Sequence, residues 1–256
     1  MPDFYKLLDD LYAAGIKNIK IASPQVAELI NRHNKDFELT ASVLFEYHNI
    51  AQYKNLLGLI PNIKRIVVTK DENQNFKYLK NLRTMFPDIT IEMMAEEACI
   101  KGCPSRYFCM SDSETTDIGN RLGCFYTKKY LYSTFYKNGV IYPWDFGYYS
   151  AIGINHFKLV QTKNRAEDRS NPGAKIYMDI IEYGLESKFL EDYLYGCIPH
   201  SHFLPRNIKT KTLLSYFPDT SYFVKHGHKC ESICGVECNY CEQRAQKLIE
   251  FIGRYS

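Results

Sequence analysis

The feature that most restricts the fold of this chain is the alternation of helical periods with short apolar runs along its first third. Residues 4–14 carry apolar side chains at helical spacing and meet Gly15, a helix stop, and residues 19–22 then read as a short buried strand. Ser23 and Pro24 form an N-cap followed by proline at the first helical position, opening a helix through Val26, Leu29 and Ile30. Further strands are expected at 39–45, 65–69 and 89–94, with helices at 50–59 and 76–86 between them. Strands separated by helices of about 10 to 15 residues pair in parallel through βαβ crossovers. The class is therefore α/β with a parallel sheet.

Beyond residue 94 the pattern loosens. Residues 139–142 and 156–160 read as two more strands, 176–194 as one or two helices, and 241–252 as a closing amphipathic helix through Ala245, Leu248, Ile249 and Ile252. Residues 197–229 are rich in His, Pro and Tyr and show no period. The expected organisation is a βα domain over 1–196 with a Cys/His-rich segment, 197–256, packed on it. At 256 residues and 45% hydrophobic the chain can bury a substantial core. Its net charge of +3, with both signs interspersed, gives no basic stripe for nucleic acid. No run approaches about 18 consecutive apolar residues, and the first residues resemble no secretory signal. The expectation is a soluble, cytoplasmic protein with no membrane association.

A reducing compartment keeps thiols free, so dense cysteines there point to metal or redox chemistry. The first group, Cys99, Cys103, Cys109 and Cys124, opens in the stretch E-A-C-I-K-G-C-P-S-R-Y-F-C, directly after the strand at 89–94. Four thiolates suit either zinc or an iron-sulfur cluster, and the C-x3-C spacing, less typical of zinc ribbons, favours iron-sulfur. The second group, Cys230, Cys234, Cys238 and Cys241, lies in K-C-E-S-I-C-G-V-E-C-N-Y-C, too dense for core packing. Its last three cysteines have the spacing of the radical S-adenosylmethionine motif but not its position after a first barrel strand. Glu96 and Glu97 end the fourth strand, where barrel enzymes place chemistry, and Arg106 could hold a carboxylate bidentately. His226 and His228 read first as solvated loop histidines and second as ligands. There is no G-x-S-x-G elbow and no H-E-x-x-H helix.

Three ordered stretches resemble the collagenase-like peptidase family, class U-thirty-two. E-E-A-C-I-K-G-C-P-S-R-Y-F-C is similar to that family's N-E-x-C-L-x-x-C-P-x-R-x-x-H, with Glu97, Cys99, Cys103, Pro104 and Arg106 in matching positions. G-I-K-N-I-K-I-A-S-P-Q-V-A-E-L-I upstream and P-W-D-F-G-Y-Y-S-A-I-G-I-N-H-F-K-L downstream resemble two further family motifs. The chain departs from the pattern at Glu96 in place of Asn, at Cys109 in place of His, and at Gln161-Thr162 in place of Gly-Arg. The resemblance implies a TIM-type (β/α) barrel, incomplete at the N-terminus because relatives carry about two more βα units there. It implies one or two 4Fe-4S clusters on the two cysteine groups, with zinc as the alternative, and Glu97 and Arg106 as catalytic candidates. The activities it suggests are oxygen-independent hydroxylation or related modification of a small-molecule or RNA substrate, or else cleavage or modification of peptides. A non-catalytic cluster-binding subunit is a third reading, and a homodimer or homologous partner subunit is expected to shield the edge strand.

Overall fold

The computed structural model describes residues 2–95, 101, 139–159, 172–197, 204–217, 219–226 and 237–254. In chain order the elements begin α1 (Pro2–Ala13), β1 (Asn18–Ile21), α2 (Pro24–His33), β2 (Glu38–Ala41), α3 (Ile50–Leu59), β3 (Ile63–Val67), α4 (Phe76–Met85) and β4 (Thr90–Met94). They continue with α5 (Phe146–Ser150), β5 (His156–Lys158), α6 (Pro172–Tyr183), α7 (Thr210–Leu214), α8 (Thr220–His226) and α9 (Tyr240–Ile252). Local chemistry explains the early boundaries. Gly15 takes φ +83, a left-handed turn that ends α1. Asn49 accepts from the Ala51 amide while Gln52 reaches back to the Asn49 amide, a capping box that starts α3. Ser23 sits at the N-cap of α2 with extended backbone, but its hydroxyl donates to Gln25 Oε1 at 2.7 Å rather than capping.

The five strands pair in parallel in the order β1-β2-β3-β4-β5, so each crossover moves one strand in the same direction. One face of the sheet carries Ile21, Ala41, Ile66 and Ile91 in register, and all four belong to a single apolar core. That core also takes in Leu204, Leu213, Phe217, Phe223, Leu248 and Phe251, so the C-terminal segment shares it with the strands. The opposite face carries Lys20, Thr40, Arg65 and Thr90 in register, with Glu92 two residues further along β4.

That second face is concave. Neighbouring strands stand about 4.8 Å apart and successive residues about 3.3 Å, so Lys20 on β1 and Glu92 on β4, two residues beyond the position in register with it, would have Cα atoms about 16 Å apart in a flat sheet. Lysine and glutamate side chains together span roughly 11 Å from their Cα atoms. Lys20 Nζ on β1 nevertheless lies 3.0 Å from Glu92 Oε1 on β4, so the strands curl towards each other.

Three local expectations are corrected. The strand expected at 39–45 ends at Ala41, and Val43–Phe45 is a 3-10 turn closed by the Ser42 hydroxyl, which accepts from the Leu44 amide. Residues 139–142 are not a ladder strand, although the Ile141 amide donates to the Ala95 carbonyl at 2.9 Å. In α9 the buried stripe is Ala245, Leu248 and Phe251, while Ile249 is exposed. Residues 210–214 and 220–226, where no period is visible, contain α7 and α8.

Candidate functional site

The strands of a parallel sheet present their C-terminal ends on one edge, where sites in α/β proteins concentrate. The chain leaves that edge after Ala95 and returns at Gly139, and residues 96–138 between them carry the first cysteine group. Both ends are fastened to one point. Asn73, fully buried after β3, donates through Nδ2 to the carbonyls of Met94 and Gly139, both at 2.7 Å. The Ala95 amide donates to Lys158 at the end of β5 (3.0 Å), and the Tyr149 hydroxyl donates to the Asn73 carbonyl (2.9 Å). Asn73 Oδ1 is buried with no hydrogen-bond donor among the described residues.

The approach at this neck is close. Gly139 adopts φ +66, and a Cβ there would meet the Lys70 carbonyl at 3.0 Å, so only glycine fits. Lys70 is 2% exposed, an uncommon environment for an ammonium, and it follows β3 on the same edge. Thr69 and Asn73 beside it are also buried. Sequence reasoning singled out none of these; the run V-V-T-K-D-E-N ending a buried strand was the available signal. Nearby, His48 lies 3.7 Å from both Glu46 and Glu72. Among the described residues no group of three or more His, Cys, Asp or Glu has a metal-binding arrangement.

The expected site residues divide accordingly. Glu97, Cys99, Cys103, Arg106, Cys109, Cys124, Cys230 and Cys234 lie outside the described residues, as do Glu96 and His228. Cys238 and Cys241 are described: both are half-buried, Cys238 just before the N-cap of α9 and Cys241 in its first turn. The His226 ring lies tilted against Tyr222, and its Nδ1 is 3.1 Å from the Tyr222 carbonyl, so this ring nitrogen is engaged within α8.

Two ionisable groups inside the fold stand out. Glu92 takes hydrogen bonds from Lys20 (3.0 Å) and Arg65 (3.1 Å). Burial pushes its carboxyl up, but those bonds and charges outweigh it and hold the group below the ordinary carboxylate range. Asp145, in the turn before α5, accepts from the Thr220 hydroxyl at 2.7 Å and so ties the first residue of α8 to the sheet domain. Burial is the chief cause that pushes Asp145 up to about 7, with the Asp219 charge adding to it and the Thr220 bond opposing it.

A curved, sequentially ordered parallel sheet with a cysteine-rich excursion rooted at its C-terminal edge defines an α/β protein of site-bearing type. The chain belongs to peptidase family U32, whose model matches residues 1–179. No curated protein and no solved structure matches it significantly. Among the described residues no helix is long and apolar enough to cross a membrane.

Proposed function

We propose that this chain is an iron-sulfur protein acting in oxygen-independent hydroxylation, or a related modification, of an organic or RNA substrate. The single observation that carries the reading is the double anchor at Asn73, which roots a stretch containing four cysteines, Glu97 and Arg106 at the C-terminal edge of the sheet. Sequential parallel order and the curl reported by Lys20 and Glu92 support reading that sheet as an arc of a TIM-type barrel.

The donor set fits such a group. Cys238 and Cys241 are half-buried thiols spaced as C-x2-C around the start of α9. Cys99, Cys103 and Cys124, with Cys109 or a thiol of the second group, would hold one cluster, and Cys230, Cys234, Cys238 and Cys241 are the set for another. A bound cluster supplies one-electron transfer. Arg106 would orient an anionic portion of the substrate, and Glu97 would hold or move a proton beside it.

Anaerobic purification with iron and sulfide counts and a visible spectrum tests the reading. Cys99→Ala and Cys103→Ala are expected to lose iron and the broad visible absorption. Peptide cleavage by metal-free protein, abolished by Glu97→Gln and indifferent to the cysteines, would instead establish a peptidase.

We also propose that a second copy, or a homologous subunit, covers β1. Among the described residues this strand pairs only with β2, and an open parallel edge is normally paired or covered.

A further inference from the structure

The concave face holds a cation pair whose construction exceeds what sheet stability requires. Pairing of β2 with β3 slips between Leu39 and Thr40: Ile63 opposes Leu39, but Arg65 opposes Thr40, so Lys64 is an extra residue. A bulge of this kind re-aims the side chains beyond it. Without it, Arg65 would share the core face with Ile63; with it, Arg65 joins Lys20 and Thr40 on the concave face.

Glu92 lies between the two cations and is the least exposed of the three, with its side chain 10% accessible against 40% for Lys20 and 41% for Arg65. The carboxylate is therefore the floor of the cluster, and the cations are its accessible part. Each uses one N–H on Glu92, and no other side-chain bond of theirs occurs among the described residues. Lysine has three N–H donors and arginine five, so most of the donor capacity is left for another acceptor. Within the cluster two cations meet one carboxylate; by strand alternation Glu38 and Lys158 join the same face and offset each other, so it keeps a net positive charge, and its wall includes the Thr40 and Thr90 hydroxyls and His156, which is in register with Glu92. The apolar group Val43, Val67 and Met94 lies nearer the C-terminal ends of the strands, between this cluster and the neck at Asn73.

We propose that the concave face is a binding site for a small-molecule oxyanion, a carboxylate or a phosphate, held by Lys20 and Arg65 and organised by Glu92. It does not rest on the proposed iron-sulfur activity. Glu92 acts as a positioning residue: by anchoring both cations to one floor it removes the mobility that otherwise weakens anion binding by long side chains.

Calorimetric titration of the full chain with inorganic phosphate and, separately, with malonate tests the site, and the tighter of the two tells a phosphate ligand from a carboxylate. Saturable one-site binding is expected, weakened about tenfold or more by Lys20→Met and by Arg65→Met, as for loss of a charge-assisted hydrogen bond. Lys64→Met, at the exposed bulge residue, should bind as the unchanged protein does. A measurement on the unsubstituted chain guards against variants that fail to fold: amine acylation read by mass spectrometry should show Lys20, but not Lys64, protected by the anion. No saturation by either anion up to about 10 mM, affinities unaffected by both methionine variants, or Lys20 acylated equally with and without anion would each overturn the assignment.

Discussion

Asn73 Nδ2 donates to the Gly139 carbonyl across 66 residues of sequence, and the same nitrogen holds Met94, the last residue of β4. One buried amide thus fixes both the exit and the return of the cysteine-bearing stretch. Asn73→Leu leaves two buried carbonyls without this donor, which should cost about 2–4 kcal/mol. Urea denaturation measures that loss, and limited proteolysis should show faster cutting within residues 96–138. Gly139→Ala should damage the same neck by a different route, through its positive φ and the close Lys70 carbonyl. Stability within about 0.5 kcal/mol of the unchanged protein for Asn73→Leu would contradict the anchor.

Asp145 should make stability fall as pH rises. Its folded pKa, about 7, lies above the ordinary 3.8, so between those values the folded chain holds the proton more tightly than the unfolded chain. The penalty grows from about pH 4, is full above about pH 7, and amounts to roughly 2–4 kcal/mol. Asp145→Asn keeps an oxygen to accept from Thr220 and removes the charge. Chemical denaturation should find that this variant gains stability over the unchanged protein at pH 8 and little at pH 4. An equal difference at both values would remove Asp145 as the cause.

Glu92 carries the opposite sign. Its folded pKa is lowered, so its ion pairs stabilise the fold above the ordinary carboxylate range and that contribution is lost as pH falls through the folded value. Glu92→Gln should destabilise the chain at pH 7, where Lys20 and Arg65 lose their partner charge. Once pH has fallen below that folded value the two proteins should converge. Melting temperatures across pH 3 to 8 decide it, and a constant gap would show that shape rather than charge explains the loss.

What could be read from the sequence follows from the range of the interactions. The alternation up to Met94 located β1 to β4 and α1 to α4 because each segment repeats its period over one or more turns, and the resemblance in three motifs agrees with the family that matches residues 1–179. The bulge at Lys64 was hidden because I-K-R-I-V reads as a strand in either register, and only the partner strand shows that Arg65 changes face. Helices α7 and α8 were missed because five and seven residues are too short to display a period. Asn73 to Gly139 and Asp145 to Thr220 join residues 66 and 75 positions apart, distances over which local patterning is silent. Cysteine spacing named candidate ligands, but thiol identity alone does not choose between zinc and iron-sulfur chemistry.

The β1 edge gives the prediction on assembly. The carbonyls of Lys17 and Ile21 accept from the amides of Glu38, which opens β2, and Ser42, which follows it, so by strand alternation the backbone groups of Asn18 and Lys20 face away from β2. Proline tolerates an extended backbone but offers no N–H, so Asn18→Pro should leave the β1-β2 ladder intact while removing an outward donor. Ile21 is unsuitable for the purpose, since it is buried in the core and a charge there would unfold the domain. Light scattering of the anaerobically purified chain across dilution should show a dimer, and Asn18→Pro should raise its dissociation constant about tenfold for the loss of one backbone hydrogen bond. A monomer of 29.9 kDa at every concentration would rule out self-pairing at β1 and direct the search to a homologous subunit captured under the same conditions.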